Sequence, residues 1–205
     1  ALYLEDGPYA NPYELATFYD NHDMPRMDAS DEGFIDAHNW LFTARGIPVV
    51  YYGSEVGFMR GQREHGGNRA YYGVENIQAA PAHPIHANLR RIANLRKASP
   101  ALQRGVQLNV ELEGDSAVFY RVYEDAGQAQ TALVLLNKGD RARTTTVRRL
   151  LQPGRWRDGF SGEAFEVGRK LKVEVPAHGV RVFLFDGPVS RADLRKAALQ
   201  ATPKQ

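Results

Sequence analysis

With 205 residues, 43% of them hydrophobic and 24% charged, the chain has enough apolar material to build a core and is not disordered by composition. Its 26 basic and 24 acidic residues leave a formal net charge of +2, which argues against a nucleic-acid partner, and the lack of cysteine excludes disulfides and thiol catalysis. No apolar run approaches the roughly 20 residues of a membrane span, and the opening ALYLEDGPYANPYEL has neither the basic nor the apolar region of a signal peptide.

In chain order, residues 15–19 form a strand candidate that ends in the polar run Asp20-Asn21-His22-Asp23. Ser30 is placed as a helix N-cap, followed by Asp31 and Glu32 where the helix dipole favours acids. Phe34, Ala37, Leu41 and Ala44 follow at helical spacing, and Gly46 is expected to close the helix. Residues 47–52 (IPVVYY) are apolar on both faces, the pattern of a buried parallel strand. A glycine-rich loop of roughly thirty residues comes next, too long for a plain connection and therefore functional or lid-like. Ile85, Leu89, Ile92 and Leu95 mark a second helix, which Pro100 stops.

This strand–helix–strand–helix order is the unit of a parallel α/β architecture. From Gln103 the pattern changes to period two. Strands are expected over 106–112, 117–123, 131–136, 143–147, 170–175 and 180–185, separated by turns such as Glu113-Gly114-Asp115 and Asn137-Lys138-Gly139-Asp140. Such spacing predicts an antiparallel β-sandwich. The arginines at 141, 143, 148, 149, 155 and 157 belong to that segment and are expected to be a solvated face. Ser190-Arg191-Ala192-Asp193 looks like a capping box opening a short C-terminal helix with a polar tail.

A polar cluster at the carboxyl end of a parallel strand stands where α/β barrels carry their chemistry, so His22 and Asp23 have a fitting place as well as a fitting chemistry. A carboxylate there can accept hydrogen bonds from sugar hydroxyls, and the imidazole can donate one; taken alone, the pair is more often a structural turn. His83-x-x-His86 lacks a nearby third ligand and is expected to be structural, so no metal site is assigned. His65 in the glycine-rich loop is a weaker candidate for touching substrate. Tyr71, Tyr72 and Trp156 are candidate stacking surfaces, whereas Tyr51 and Tyr52 are expected in a barrel wall.

Four blocks in order, FYDNHDMPRM, RGIPVVYYGSEVGF, GGNRAYYG and LRRIANLRKASPALQRG, resemble the α-amylase family of glycoside hydrolases, family 13. Their style is similar to bacterial α-amylases and cyclodextrin glucanotransferases. The resemblance implies three units: residues 1–102 as the C-terminal portion of a (β/α)8 catalytic barrel (strands 7 and 8 with their helices), 103–186 as an antiparallel β-sandwich, and 187–205 as a short helix and tail. It implies that Asp23 is the carboxylate that stabilises the transition state, and that His22, Asn68 and Arg69 bind substrate. Tyr52 and Glu55 are expected to be structural. The implied substrate is an α-1,4-glucan such as starch or a maltooligosaccharide, cleaved or transferred with retention.

The family's nucleophile, in a Gly-x-Arg-x-Asp run, is missing: Gly61-Gln62-Arg63-Glu64-His65 and Gly179-Val180-Arg181-Val182-Phe183 both lack the aspartate. A retaining glycosidase needs two carboxylates about 5 Å apart, so the chain is expected to be inactive alone and to be part of a larger enzyme whose N-terminal part is its partner. Two βα units cannot close a barrel; the first half is expected to fold poorly alone, the sandwich by itself. The resemblance implies a secreted or periplasmic parent, no cofactor held in this chain, and calcium held mainly by residues outside it. A non-catalytic carbohydrate-binding or interaction module is the alternative.

Overall fold

The computed structural model describes residues 7–125 and 127–203. The first six residues of the predicted 1–102 unit and the last two of the predicted tail lie outside the described residues.

Strand β1 (Ala16–Thr17) pairs in parallel with β2 (Ile47–Pro48), and helix α1 (Asp31–Thr43) runs between them. Both strands are shorter than predicted. Pro48 has no N–H to give, and the pairing rests on Ile47 N–H to Leu15 O and Val49 N–H to Thr17 O, each 2.8 Å. The expectation that 47–52 is buried on both faces is corrected: Ile47 and Val49 are 54% and 43% exposed. Among the described residues no third strand flanks the pair, and Pro48 and Val50 on the other face are half-buried.

Helix α1 starts as predicted, with Ser30 Oγ accepting from Gly33 N–H at 3.3 Å. Phe34, Leu41 and Ala44 are buried. Gly46 is not its cap; Ala44 is, in an extended conformation. Gly46 lies two residues on at φ +97°, and a Cβ there would stand 2.5 Å from Thr17 Cγ2. Close approach to β1 therefore demands the glycine.

The carbonyls at the end of α1 are satisfied from elsewhere in the fold. Arg96 Nη1 donates to Phe42 O and Ala44 O, both at 3.0 Å. Arg121 Nη1 donates to Thr43 O at 2.8 Å, while its Nε and Nη2 reach Gly105 O at 3.0 and 2.9 Å. Arg121 is fully buried; desolvation, then the nearby Arg96, pushes its pKa down to about 9, so it remains a cation at neutral pH. Two guanidinium groups thus sit where the helix dipole is negative.

Helix α2 (Val74–Ala79) interrupts the glycine-rich loop, α3 (Pro84–Ala98) is the predicted second helix, and α4 (Pro100–Arg104) follows. Ile85, Ile92 and Leu95 are buried, and Leu89 is half-buried. Pro100 both ends α3 and opens α4, with Ser99 Oγ capping Leu102 N–H at 3.2 Å. His83 caps α3, its Nδ1 accepting from Ile85 N–H at 3.3 Å.

The remaining chain forms β3 (Val106–Glu113), β4 (Ser116–Asp125), β5 (Gln128–Asn137), β6 (Arg143–Val147), β7 (Gly154–Asp158), β8 (Ala164–Val167), β9 (Leu171–Val175) and β10 (Gly179–Asp186). Six make one antiparallel sheet in the order β3-β4-β5-β10-β7-β8, and β6 and β9 form a second antiparallel pair. β7 and β8 were not predicted, because arginines interrupt the apolar pattern of the first and the second has only four residues. Trp156 in β7 is 1% exposed with Nε1 donating to Gln152 O at 2.9 Å, which corrects its candidacy as a sugar-stacking surface.

Both faces of the large sheet are covered. With a side-chain period of two, Val118, Tyr120, Leu133, Leu135 and Phe183 point to a core shared with Val147 of β6 and Val173 and Val175 of β9. Phe119, Ala132, Val134, Val182 and Leu184 point the other way, against Ala44, Ile92, Leu95, Ala101 and Leu102 of the helical segment. Helix α5 (Ala192–Ala201) closes the chain, and Leu194 joins the first core. The predicted capping box is corrected: Arg191 is the N-cap without a side-chain bond, and Ser190 N–H and Arg191 N–H are taken by Gln152 Oε1 at 2.6 and 3.2 Å. In the arginine cluster, Arg143 pairs with Glu111 at 3.0 Å and Arg157 with Asp186 at 2.6 Å. Among the described residues no helix is long and apolar enough to cross a membrane.

Candidate functional site

Because β1 and β2 are parallel, the segments that follow them leave at the same end. The first is 18–28 and the second 49–73. They are laced together by backbone bonds, Arg26 N–H to Gln62 O at 2.9 Å and Gly61 N–H to Met27 O at 3.3 Å. The guanidinium of Arg60 ties the second segment to Ala29 O and to Asp31 at the start of α1. The predicted lid-like loop is held down along this seam.

All four residues singled out in the sequence meet there. Asn68 is fully buried, and its Nδ2 donates to His22 O at 2.7 Å and Met24 O at 2.9 Å, while its Oδ1 accepts from His65 N–H at 3.2 Å. Arg69 Nε donates to His22 O at 3.2 Å, and its Nη2 to Asp23 Oδ1 at 2.9 Å. His22 Nε2 stands 3.1 Å from the other oxygen of Asp23. Asp23 N–H donates to Asn21 Oδ1 at 2.8 Å, an Asx turn that fixes the backbone under the carboxylate. The side chains of His22, Asp23 and Arg69 are 57%, 61% and 54% exposed, so the cluster opens to solvent.

Beneath it lies a floor that sequence reasoning missed. Asp20 is 2% exposed, accepting from Ser54 Oγ at 2.9 and 3.1 Å and from Met27 N–H at 3.4 Å. Burial pushes its pKa up, against the opposing pull of the Ser54 and Met27 bonds and of Arg26. Arg26, also 2% exposed, donates to Tyr52 O at 2.7 Å and lies 4.2 and 4.8 Å from the ring centroids of Tyr51 and Tyr52. An acid and a base bracketing the NHD run were the only sequence signal for this floor, and their burial depends on the second segment closing over them.

Tyr51 and Tyr52 are not sealed in a wall, since Tyr51 is half-buried and Tyr52 is 37% exposed. They act as struts: Tyr51 OH donates to Asn68 O at 3.1 Å and Tyr52 OH to Ala70 O at 2.7 Å. Tyr72 packs edge-on against Phe58 at 5.0 Å, whereas Tyr71 is 86% exposed. The His65 side chain faces Glu64 at 3.1 Å.

An ionised carboxylate offers about four lone-pair sites. Arg69 and His22 occupy two at Asp23, and the rest face solvent, where they can accept from ligand hydroxyl groups. Among the described residues no group of three or more His, Asp or Glu side chains is placed to hold a metal ion. Two cavities lie away from the cluster: about 510 Å³ between α1 and the sheet, lined by Phe18, Trp40 and Leu112, and about 860 Å³ beside β9 and β10.

No model of a known protein family matches the chain. The α-amylase of Streptomyces lividans is 32% identical over 141 residues, covering 52% of this chain and 15% of the relative. Among solved structures, the α-amylase of Geobacillus thermoleovorans in complex with acarbose superposes with a TM-score of 0.73 at 24% identity, over 87% of this chain and 40% of the other. A cyclomaltodextrin glucanotransferase with a three-domain ABC distribution gives 0.68 at 27% identity, over 91% and 39%. The chain therefore spans less than half the length of the proteins it resembles.

Proposed function

On the premise of its resemblance to the C-terminal part of the α-amylase family, glycoside hydrolase family 13, we propose that this chain is part of a retaining α-glucan-active enzyme. Residues 1–102 then supply the last two βα units of the catalytic barrel, and 103–186 its sandwich. The observation that carries this reading is the Asp23 cluster: an exposed carboxylate clamped by Arg69 and His22 at the carboxyl end of a parallel strand pair.

In this reading Asp23 accepts from the hydroxyls of the sugar at the cleavage site. As the ring flattens toward an oxocarbenium ion, those bonds shorten and the carboxylate favours the developing positive charge. His22 donates to the same sugar, Arg69 holds Asp23 in place, and Asn68 holds the backbone of both. The nucleophile and the acid/base come from polypeptide outside the 205 residues, which is why this chain alone is proposed to be inactive. The glycosyl unit passes to water or to another glucan hydroxyl. The parent is proposed to be secreted or periplasmic. Calcium is possible in the parent, and no step runs through it.

Asp23→Asn in the complete enzyme keeps the shape and weakens the acceptor. Turnover on maltooligosaccharide should fall about 10²–10³-fold, the scale of losing one transition-state contact, with folding intact. Activity within a few-fold of the parent would reject the assignment. The alternative, a carbohydrate-binding module, predicts that the isolated chain binds maltooligosaccharide by calorimetry without turning it over.

A further inference from the structure

Away from the candidate site, His178 sits between two carboxylates drawn from distant parts of the chain. Its Nδ1 is 2.7 Å from Asp36 Oδ2 on α1, and its Nε2 is 3.0 Å from Asp140 Oδ1 in the turn that follows β5. Both ring nitrogens therefore face acceptors, and only the imidazolium can donate to both at once. The backbone is committed as well. His178 adopts φ +49°, a left-handed conformation uncommon for a residue with a Cβ, and its N–H donates to Gly139 O at 3.2 Å. The His178 and Asp36 side chains are 23% and 19% exposed, whereas Asp140 is 96% exposed. The closer and drier contact is the one that crosses from the helical segment to the sheet.

We propose that the Asp36–His178–Asp140 cluster is a pH-sensitive clasp that fastens helix α1 to the sandwich while His178 is protonated and slackens when it loses its proton. Asp36 and Asp140 hold His178 by hydrogen bonds and charge, Lys138 draws on Asp36, and Glu32, one turn before Asp36, lies close enough for His178 to act on it. Lys138 itself is 3.5 Å from Asp115.

The direction follows from the partners. The hydrogen bond it donates to Asp36, with that to Asp140, raises the His178 pKa above its ordinary value against the pull of desolvation. Asp36 is also raised, for a different reason: burial outweighs the His178 bond. A histidine raised in the folded state contributes stability that is fully present below its unfolded value of about 6.5, and that contribution is lost as pH rises through the higher folded value. Protonation of Asp36 sets the acid limit. The clasp thus holds in mildly acidic to neutral conditions and loosens toward the alkaline side.

The test uses the 205-residue chain. The His178 ring protons, followed by NMR across pH 5–9, should titrate above the ordinary histidine value in the parent and fall toward that value in Asp36→Asn, where only Asp140 still raises it. In His178→Asn, which keeps a residue tolerant of positive φ, the thermal midpoint at pH 6 should drop by about 2–4 °C, the shift that a 1 kcal/mol loss produces in a chain of this size. The gap between parent and variant should close at pH 9. An ordinary titration of His178 in the parent overturns the proposal, as does a gap that is the same at pH 6 and pH 9. The NMR titration of the parent decides the matter even if neither variant folds.

Discussion

Asn68 governs the geometry of the candidate site more than any residue that faces solvent there. It is fully buried, and it spends its two donors on the carbonyls of His22 and Met24 and its acceptor on His65 N–H. Asn68→Ala leaves those backbone groups without partners, a loss of about 1–3 kcal/mol. Denaturant unfolding should show a loss on that scale, and hydrogen exchange should quicken over residues 22–26 while the sheet stays protected. Unchanged stability with unchanged exchange would mean that the backbone holds itself. At this scale the sequence was informative where a short polar run stands out: His22, Asp23, Asn68 and Arg69 stand together in the fold, although Asp23 and Arg69 are 46 positions apart. It did not show the burial of Asp20 and Arg26, because nothing local tells a solvated charge from one that a later segment will bury.

Among the elements, α1 is held at both ends, which its own sequence only half announces. Ser30 and the first-turn acids declare the start. The finish relies on Arg96 and Arg121, which lie more than fifty residues downstream and read as ordinary polar positions in a helix and a strand. Replacing the buried cation by an isosteric apolar residue, Arg121→Met, leaves Thr43 O and Gly105 O unpaired, and should cost about 3 kcal/mol in denaturant melts. A change below about 0.5 kcal/mol would show that water takes over both carbonyls. Gly46→Ala meets two obstacles at once, a φ of +97° and a Cβ 2.5 Å from Thr17. It should destabilise by about 1–3 kcal/mol and free the Ile47 and Val49 amides to exchange. Long helices and long strands were legible because their periods repeat. Helices α2 and α4 and strand β8, of four to six residues, repeat too little of a period to register, and in β7 the arginines break the apolar alternation; tertiary pairing decides them.

For the molecule as a whole, the large sheet has two buried faces, and only one is supplied by the sandwich itself. Helices α1, α3 and α4 cover the other, against Phe119, Val134, Val182 and Leu184. The expectation that the sandwich folds by itself thus meets a physical obstacle. Residues 103–205 produced alone should expose that face and bind a hydrophobic dye or self-associate, whereas the whole chain should do so less. A monomeric, dye-free piece with a cooperative melt would restore the expectation. Period-two patterning predicted the strands, but it could not tell which face would meet helices.

Helix α1 is also a lever. Its thirteen residues span about 20 Å. Near one end, Asp31 and Ala29 hold Arg60 and with it the loop that carries Arg69; at the other, Arg121 and Arg96 fix the tilt. Over that length an angular play of about 3° displaces the far end by about 1 Å, enough to cost a positioned reaction on the order of a hundredfold. In the proposed reading, the aim of the Asp23 carboxylate is therefore set partly by side chains of α3 and β4, away from the candidate site.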